Sequence, residues 1–295
     1  MNVKEQGFLL LTSHLGNPER KPLTVAQLRT LASRMKSMQK PENDGQLTAN
    51  DLCAIGYDRV GAERIVGLLN EQPVLDRYLQ RGARQDCVPI ARTGACYPDV
   101  LRDRLGLDCP GCLWAKGDTG ILDMPALALV GSRELEEKHR DFAAAVGKQA
   151  ALQGFTLISG NARGADRTAQ DACLRYGGKV ISVIADELQK QPLRKNVLYL
   201  SEDGFDLPFS SLRALSRNRI IHCLAKLVLV ARCSLGKGGT WNGTQKNLRH
   251  NWSPVFCFND GSAASRELEQ MGAVMIGMDG LHDLGALQSD LMNFL

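Results

Sequence analysis

The sequence lacks any apolar run long enough to cross a membrane. A spanning helix needs about 20 consecutive apolar residues, and no stretch of the 295 residues approaches that length. The opening segment, MNVKEQGFLLLTSHLG, has too short an apolar part for a secretory signal and carries no small-residue cleavage site. These absences exclude an integral membrane helix and predict a soluble, cytoplasmic protein.

Acidic residues are scarce in one region of the chain. Between Lys190 and His250 there are eleven Lys and Arg residues against three acids, Glu202, Asp203 and Asp206. That region has a net charge of +8, and because the whole chain carries +4, the remainder carries −4. A basic region in an otherwise acidic chain favours phosphate or nucleic acid as the partner.

The patterns of common catalytic sites are also missing. No Ser/His/Asp triad and no pair of carboxylates can be assembled from residue spacing, and there is no internal repeat. The segment GKGGTWNGT is not a Walker A loop, because Lys237 is followed by Gly238 rather than by Ser or Thr. These patterns give no support to an enzyme, and a non-enzymatic binding protein is the expectation.

The nine cysteines are odd in number and mostly lie in apolar segments, which is typical of reduced thiols. Cys109 and Cys112 form a CPGC pair, and zinc would need two further ligands. The nearest, Cys87 and Cys96, stand at longer spacings than usual, so the sequence leaves a zinc site open. The expectation is nevertheless no metal and no cofactor.

The first part of the chain has the pattern of short helices. PLTVAQLRTLASRMKSM spaces its apolar residues at helical intervals after Thr24, which predicts a helix from about 24 to 38. LTANDLCAIGYDRVGAERIVGLLN predicts two short helices around IGYDRVG. This pair resembles a helix-hairpin-helix, a unit that serves packing as well as DNA contact. We predict a small helical domain over residues 1–84.

After a lead-in over residues 85–124, apolar runs alternate with helical stretches. The runs are continuously apolar, as in strands that are covered on both faces. This alternation predicts an α/β domain over residues 85–295, a Rossmann-like, doubly wound, mostly parallel sheet with its core at 125–280. The predicted strands are 126–131, 155–160, 179–185, 196–202, 226–231, 254–258 and 273–277.

Ligands of an open parallel sheet bind beyond the carboxyl ends of its strands. There the sequence has GSR at 131–133 and SGNARGAD at 159–166. Glycines let backbone N–H groups approach phosphate, and the start of the following helix adds a partial positive charge. We expect Gly160, Arg163 and Gly164 to bind phosphate. An ordinary strand-to-helix turn, with Asp166 capping the helix, is the alternative.

The GKGGTWNGT segment follows the fifth predicted strand and is a second candidate anion cradle. A mobile surface loop is the alternative. Trp241 either stacks on a base or belongs to the core. The cradle would use Lys237, Gly238, Gly239, Thr240 and Thr244.

The set GSR, SGNARGAD, SEDGFDLPFSSLRALSRNRII and the strand LVLV occurs in an order that resembles the DprA (Smf) family of DNA-processing proteins. CYPDVLRDRLGLDCPGCLWAKGD is similar to the family's lead-in, and the likeness covers about residues 85–260. The resemblance implies a single-stranded-DNA-binding protein that hands DNA to a RecA-type recombinase, with a homodimer as the expected assembly.

The resemblance also implies a basic pocket at named positions. Asp166 would brace its loop, and Arg217, Asn218 and Arg219 match the family's RNR. The other pocket residues would be Gly131, Ser132, Arg133, Ser159, Gly160, Arg163 and Gly164. The chain departs from the family at Gln170, where His is usual, and in GKGGTWNGT, which replaces a Ser-Gly-rich loop.

The leading functional hypothesis is sequence-independent clamping of single-stranded DNA at the strand ends, in DNA uptake or recombination. Two alternatives keep the pocket and change the ligand. One is a sensor of a small nucleotide. The other is an enzyme like the nucleotide phosphoribohydrolases, whose fold the chain also resembles and for which Glu202 is the nearby strand-end acid.

Overall fold

The computed structural model describes residues 1–38 and 47–287, and the chain divides into two compact units. The first unit contains residues 1–97, 107–114 and 202–205. The second contains residues 98–106, 115–201 and the described residues from 206 onward. The division into domains 1–84 and 85–295 stays a prediction about independently folding parts. No helix within the described ranges is long and apolar enough to cross a membrane.

The first unit is built mainly from helices. Its apolar core includes Leu31, Leu52 and Ile65. The predicted helix after Thr24 is confirmed, because the Thr24 side chain accepts the N–H of Gln27 and caps α2. The elements are α1 (Val3–Thr12), α2 (Val25–Met35), α3 (Ala49–Ala54), α4 (Arg59–Leu69), α5 (Gln72–Ala83), β1 (Val88–Ala91) and the start of β2 (Cys112–Lys116).

The predicted pair of short helices is confirmed as α3 and α4, which turn at Gly56 with φ of 91°. Leu52 and Ile65 of this pair lie in the core of the first unit. The Arg34 guanidinium lies 4.4 Å from the centre of the Tyr57 ring, beside the turn. These contacts give the helix pair a packing role.

The second unit contains a parallel sheet, and all seven predicted strands are present in it. Each is covered on both faces except the edge strand β9, in agreement with the continuous apolar runs. The strands are β3 (Ala126–Val130), β4 (Thr156–Ser159), β5 (Val180–Val183), β6 (Val197–Glu202), β7 (Val228–Val230), β8 (Val255–Phe258) and β9 (Val274–Ile276). Their pairing is parallel throughout.

The order of the strands in the sheet indicates where a ligand would bind. For the seven strands of the second unit the order is β6-β5-β4-β3-β7-β8-β9, so the chain first builds outward from β3 and then returns to its other side with β7. Ligands of such sheets bind where the order reverses, here between β3 and β7. The helices of this unit are α6 (Asp99–Leu105), α7 (Glu137–Leu152), α8 (Ala165–Arg175), α9 (Ser211–Leu224), α10 (Gly239–His250) and α11 (Ala263–Gln270).

Candidate nucleic-acid interface

A cavity of about 540 Å³ lies beyond the carboxyl ends of β3 and β7. Its volume is in the range of small-ligand sites. Ten of the predicted site residues line it: Gly131, Ser132, Arg133, Asp166, Arg217, Asn218, Lys237, Gly238, Gly239 and Thr240. Five do not: Ser159, Gly160, Arg163, Gly164 and Arg219. Arg163 is exposed at the surface.

The buried Asp166 carboxylate organises the loop between β4 and α8. It accepts the N–H of Gly160 at 3.0 Å and that of Ala162 at 3.2 Å. Burial raises the pKa of Asp166, while a neighbouring arginine and these hydrogen bonds act in the opposite direction. The N–H of Ala165, the first residue of α8, donates to the carbonyl of Ser132. This loop therefore uses several of its backbone donors internally and shapes the cavity wall.

Gly164 lies where the β4–α8 loop meets the end of β3. Its φ is 90°, a region that favours glycine. A Cβ at this position would lie 2.5 Å from the carbonyl oxygen of Ser132 and would overlap the carbonyl oxygen of Arg133. The close approach of the two loops thus depends on the absence of a side chain.

Replacing Gly164 by Ala should lower the free energy of unfolding by about 3 kcal/mol, since backbone strain and steric overlap add. Gly177 is the matched control, because its φ is 77° but a Cβ there would meet nothing within 4 Å. G177A should cost only about 1 kcal/mol. Urea unfolding of both variants measures the difference, and equal losses would contradict the close approach.

The two predicted serines bond within the protein. The N–H and the hydroxyl of Ser132 donate to the carbonyl of Arg232 at 2.9 and 3.2 Å. The hydroxyl of Ser159 accepts a hydrogen bond from Gln170 at 2.6 Å and is fully buried. Gln170 also lies 3.4 Å from the hydroxyl of Ser182 and so joins β4 to β5. These side chains position the strand ends.

Arg217 is the arginine of α9 that lines the cavity. Its Nη1 donates to the carbonyl of Val183 at 2.8 Å, while its buried Nε has no hydrogen-bond partner among the described residues. A Cβ at Gly160 would overlap Nη1, so the glycine makes room for the guanidinium. Burial lowers the pKa of Arg217, and the Asp166 charge acts against that shift. The guanidinium is thus anchored beside the cavity with a donor unused.

Three other polar residues of α9 have different roles. Arg213 donates to three backbone carbonyls and to the hydroxyl of Ser201, so it holds loop structure together. Arg219 bonds within α9 and lies outside the cavity lining. Asn218 donates to the carbonyl of Gly239 at 3.0 Å and thereby fixes the start of α10 against α9.

Helix α10 begins at the cavity without a capping side chain. Its N-cap is Gly238, and the N–H groups of Gly239, Thr240 and Trp241 have no hydrogen-bond partner in the described part of the chain. Free N–H groups and the partial positive charge of a helix start are suited to bind phosphate. Lys237 is exposed immediately before them. This geometry favours an anion-binding cradle over the alternative of a surface loop with no ligand.

Two residues of the same segment lie inside the protein. Trp241 is 5% exposed and belongs to the core, so its stacking on a base is excluded. Thr244 is fully buried and does not line the cavity, so the expectation that it donates a hydrogen bond to a bound anion is wrong. Both fall on the buried face of α10, where side chains three residues apart point the same way.

The aromatic residue that reaches the cavity is Phe209, which is 53% exposed. It is not among the residues predicted from the sequence. The sequence does contain an indication of its exposure. Phe209 is a large aromatic residue next to Pro208 in the short loop before α9, so it has no helix or strand face on which it could be buried. Leu215 of α9 also lines the cavity with an exposed side chain.

The carboxylates that line the cavity are Glu134 and Asp166. Glu202, the predicted candidate of a hydrolase, is buried in the first unit and is not among the lining residues. In residues 1–38 and 47–287, no group of three or more His, Cys, Asp or Glu side chains could hold a metal ion. None of the nine cysteines, all of which lie in the described ranges, forms a disulfide.

A family model described as DNA recombination-mediator protein A matches residues 89–280. The chain belongs to this family. The resemblance to DprA (Smf) proteins is thereby confirmed, and it covers the sheet and the cavity. The match begins within β1 and reaches past β9.

Curated members of the family show how much is shared. Protein Smf of Escherichia coli is 29% identical over 185 residues, which are 57% of this chain and 49% of Smf. The DNA processing protein DprA of Streptococcus pneumoniae is 31% identical over 157 residues, 48% of this chain and 53% of that protein. The chain thus spans about half the length of these two relatives.

Solved structures confirm the α/β fold class. DprA from Streptococcus pneumoniae superposes with a TM-score of 0.66 at 23% identity, covering 93% of this chain and 92% of its own. DNA processing protein A from Helicobacter pylori, described for its single-stranded DNA binding mode, has a TM-score of 0.56 at 22% identity. That alignment covers 70% of this chain and 96% of the other.

Proposed function

We propose that this protein binds single-stranded DNA without sequence preference, by holding phosphates in the cavity between β3 and β7. One observation carries the proposal. Arg133, Arg217 and Lys237 line the same cavity as the uncapped start of α10. The family relative from Helicobacter pylori is described as binding single-stranded DNA, which supports the same class of ligand here.

The phosphate donors differ in how firmly they are held. Arg217 is anchored through Val183, so its guanidinium places a fixed positive charge beside the cavity for an anionic oxygen. Arg133 and Lys237 are exposed and can adjust to the backbone of a strand. Contacts to phosphate position a strand but do not read its sequence. The set therefore suits binding that tolerates any sequence.

Phe209 supplies the proposal with a stacking surface. Single-strand-binding proteins combine a positive groove with aromatic side chains on which bases stack, and every base has a face that can stack. Phe209 is exposed and lines the cavity, while Leu215 adds apolar surface beside it. We propose that a base packs on Phe209 while its phosphate lies toward Arg217.

The same groups favour binding over catalysis. Asp166 accepts two backbone N–H groups and lies in the protein interior, which suits a structural carboxylate. Glu202, the acid on which a hydrolase of this kind would depend, does not line the cavity. We propose a non-enzymatic role, with no cofactor and no metal.

Arg133→Ala and Lys237→Ala should each weaken binding of fluorescent oligo-dT by roughly 10- to 100-fold, because a charge-assisted hydrogen bond is lost. The slope of log affinity against log salt should become shallower by about 0.7 for each phosphate contact removed. Anisotropy at two salt concentrations measures both. The control is Arg175→Ala, an exposed arginine outside the cavity lining.

Competition with other ligands decides between the alternatives. Duplex DNA and a mixture of mononucleotides should displace the oligo-dT poorly. No detectable affinity for oligo-dT, together with a shift of the melting temperature on addition of mononucleotides, would instead favour the small-nucleotide sensor. A loss of affinity in R133A that depended on base sequence would contradict the phosphate clamp.

The assembly and the pathway belong to the same proposal. We propose a cytoplasmic homodimer that passes its strand to a RecA-type recombinase during DNA uptake or recombination. Sedimentation velocity across a range of concentrations tests the dimer. Recombinase filament formation on strands pre-bound by this protein tests the transfer, and a filament that forms no faster than without the protein would contradict it.

A further inference from the structure

Helix α10 has one face that the cavity does not explain. Between residues 207 and 259 the chain has no Asp or Glu and eight Lys or Arg. The buried face of α10 carries Trp241, Gly243, Thr244 and Asn247. Its opposite, exposed face is polar and basic and carries Asn242, Lys246, Arg249 and His250.

The basic side chains of this face are not used in the fold. Those of Lys246 and Arg249 form no salt bridge or hydrogen bond with any residue in the described ranges. Like-charged exposed groups that the fold does not pair are available to an anionic partner. Positions 242, 246, 249 and 250 follow the helical repeat, so they form one continuous stripe along the helix.

The stripe ends in a stacked aromatic pair. The rings of His250 and Trp252 lie 5.2 Å apart at an angle of 11°. His250 is exposed and Trp252 is half-buried, so Trp252 supports one ring face and the other faces solvent. A flat ring held in this way is a surface on which an unpaired base can stack.

The stripe is continuous with the cavity at its other end. Lys237 and Gly239 line the cavity, and α10 leads away from them for 12 residues, a length of about 18 Å. We infer that a single strand leaving the cavity at Lys237 follows the exposed face of α10 and stacks a base on the His250–Trp252 pair. This inference rests on the proposed function and extends its binding surface.

The test compares strands of two lengths on a charge-matched pair of variants. An oligo-dT of about 4 nucleotides fills the cavity alone, and one of about 12 reaches the helix as well. The test variant is K246A/R249A. The control is R194A/K195A, two exposed basic residues in the loop before β6. The four substituted side chains are exposed and form no ion pair with any residue that the structure describes, so both variants should fold.

The wild-type protein should bind the longer strand at least tenfold more tightly than the short one at low salt. K246A/R249A should lose this gain, with a salt slope shallower by about 1.4 for the longer strand. Its affinity for the short strand should not change. R194A/K195A should keep the gain. Retention of the full gain in K246A/R249A overturns the inference, whereas failure of the wild type to bind either strand overturns the proposed function.

Fluorescence of Trp252 provides a separate readout. Trp114 and Trp241 are buried, so Trp252, which stacks on the His250 ring, is the tryptophan whose emission a base stacked on His250 should change. The longer strand should quench emission and the short one should not. W252F should abolish the length-dependent quenching. Equal quenching by both strands would contradict stacking at the end of α10.

Discussion

Replacing Asp166 by Ala should lower the free energy of unfolding by about 3 kcal/mol, because the N–H groups of Gly160 and Ala162 would lose their acceptor and each unsatisfied donor costs about 1–3 kcal/mol. The loop between β4 and α8 would lose the side chain that sets its shape. Urea unfolding followed by circular dichroism measures the loss.

Two controls separate the acceptor from the charge. D166N keeps a carbonyl oxygen that can accept the same N–H groups, so it should lose only about 1 kcal/mol. Asp171→Ala removes an exposed carboxylate from the same helix and should change stability by less than about 0.5 kcal/mol. A loss in D166N as large as in D166A would mean that the negative charge beside Arg217 matters more than the hydrogen bonds.

The sheet was predictable because its strands are buried on both faces. A continuous apolar run such as 126–131 has few other stable arrangements in a soluble domain, and β3 indeed occupies Ala126–Val130. β1 was not predicted, since it is four residues long, contains Pro89 and exposes its first residue. Short strands with a proline carry little of the pattern on which the prediction depends.

The position of the cavity was also predictable, but the contacts of each residue were not. The rule that ligands bind at strand ends located the cavity. Sequence does not show, however, that Asp166 occupies the Gly160 N–H, or that Ser132 bonds to Arg232. Those bonds depend on how closely loops distant in sequence approach one another. The start of α10, in contrast, keeps free N–H donors at the cavity.

The two aromatic residues Trp241 and Phe209 illustrate the same point. Trp241 was the predicted candidate for stacking on a base, whereas the aromatic residue at the cavity is Phe209. Trp241 lies on the buried face of α10 with Thr244 and Asn247, which decides for the core between the two roles that the sequence left open. Phe209 lies in a loop, where periodicity gives no prediction of exposure. Its role at the cavity follows only from the three-dimensional arrangement of α9 against the strand ends.

His222 makes the fold sensitive to acid. Its buried Nδ1 lies 3.1 Å from the side-chain amide of Asn247, which also bonds to Ser253, and the Ser253 hydroxyl donates to the His222 carbonyl. This network joins α9 to α10, the two helices at the cavity. An Nδ1 that accepts a hydrogen bond belongs to a neutral imidazole. Burial lowers the pKa of His222 from 6.5 to about 4.

The sign of the pH effect follows from this shift. Between about pH 6.5 and pH 4 the unfolded chain binds a proton at this histidine and the folded protein does not. The contribution of His222 is therefore fully present above pH 6.5 and is lost as the pH falls to 4. A shift of this size corresponds to about 3 kcal/mol. Asp166 acts in the opposite direction, because burial raises its pKa.

A comparison of variants isolates the histidine. His222→Gln keeps a hydrogen-bond acceptor but cannot gain a proton, so the pH-dependent loss between 6.5 and 4 should be smaller by about 3 kcal/mol than in the wild type. His14→Gln removes an exposed histidine and should leave the wild-type loss unchanged. Urea unfolding at half-unit pH steps gives both curves.

Asp260 should affect a different pH range and so does not confuse the comparison. Although burial opposes the shift, hydrogen bonds from Ser262, His139 and Ser265 lower the pKa of Asp260 to about 2. Its stabilising contribution is present above its ordinary pKa of 3.8 and is lost between 3.8 and 2. If H222Q showed the same acid loss as the wild type between pH 6.5 and 4, the buried neutral histidine would not be its source. The network that joins α9 to α10 would then have to tolerate a charged imidazole.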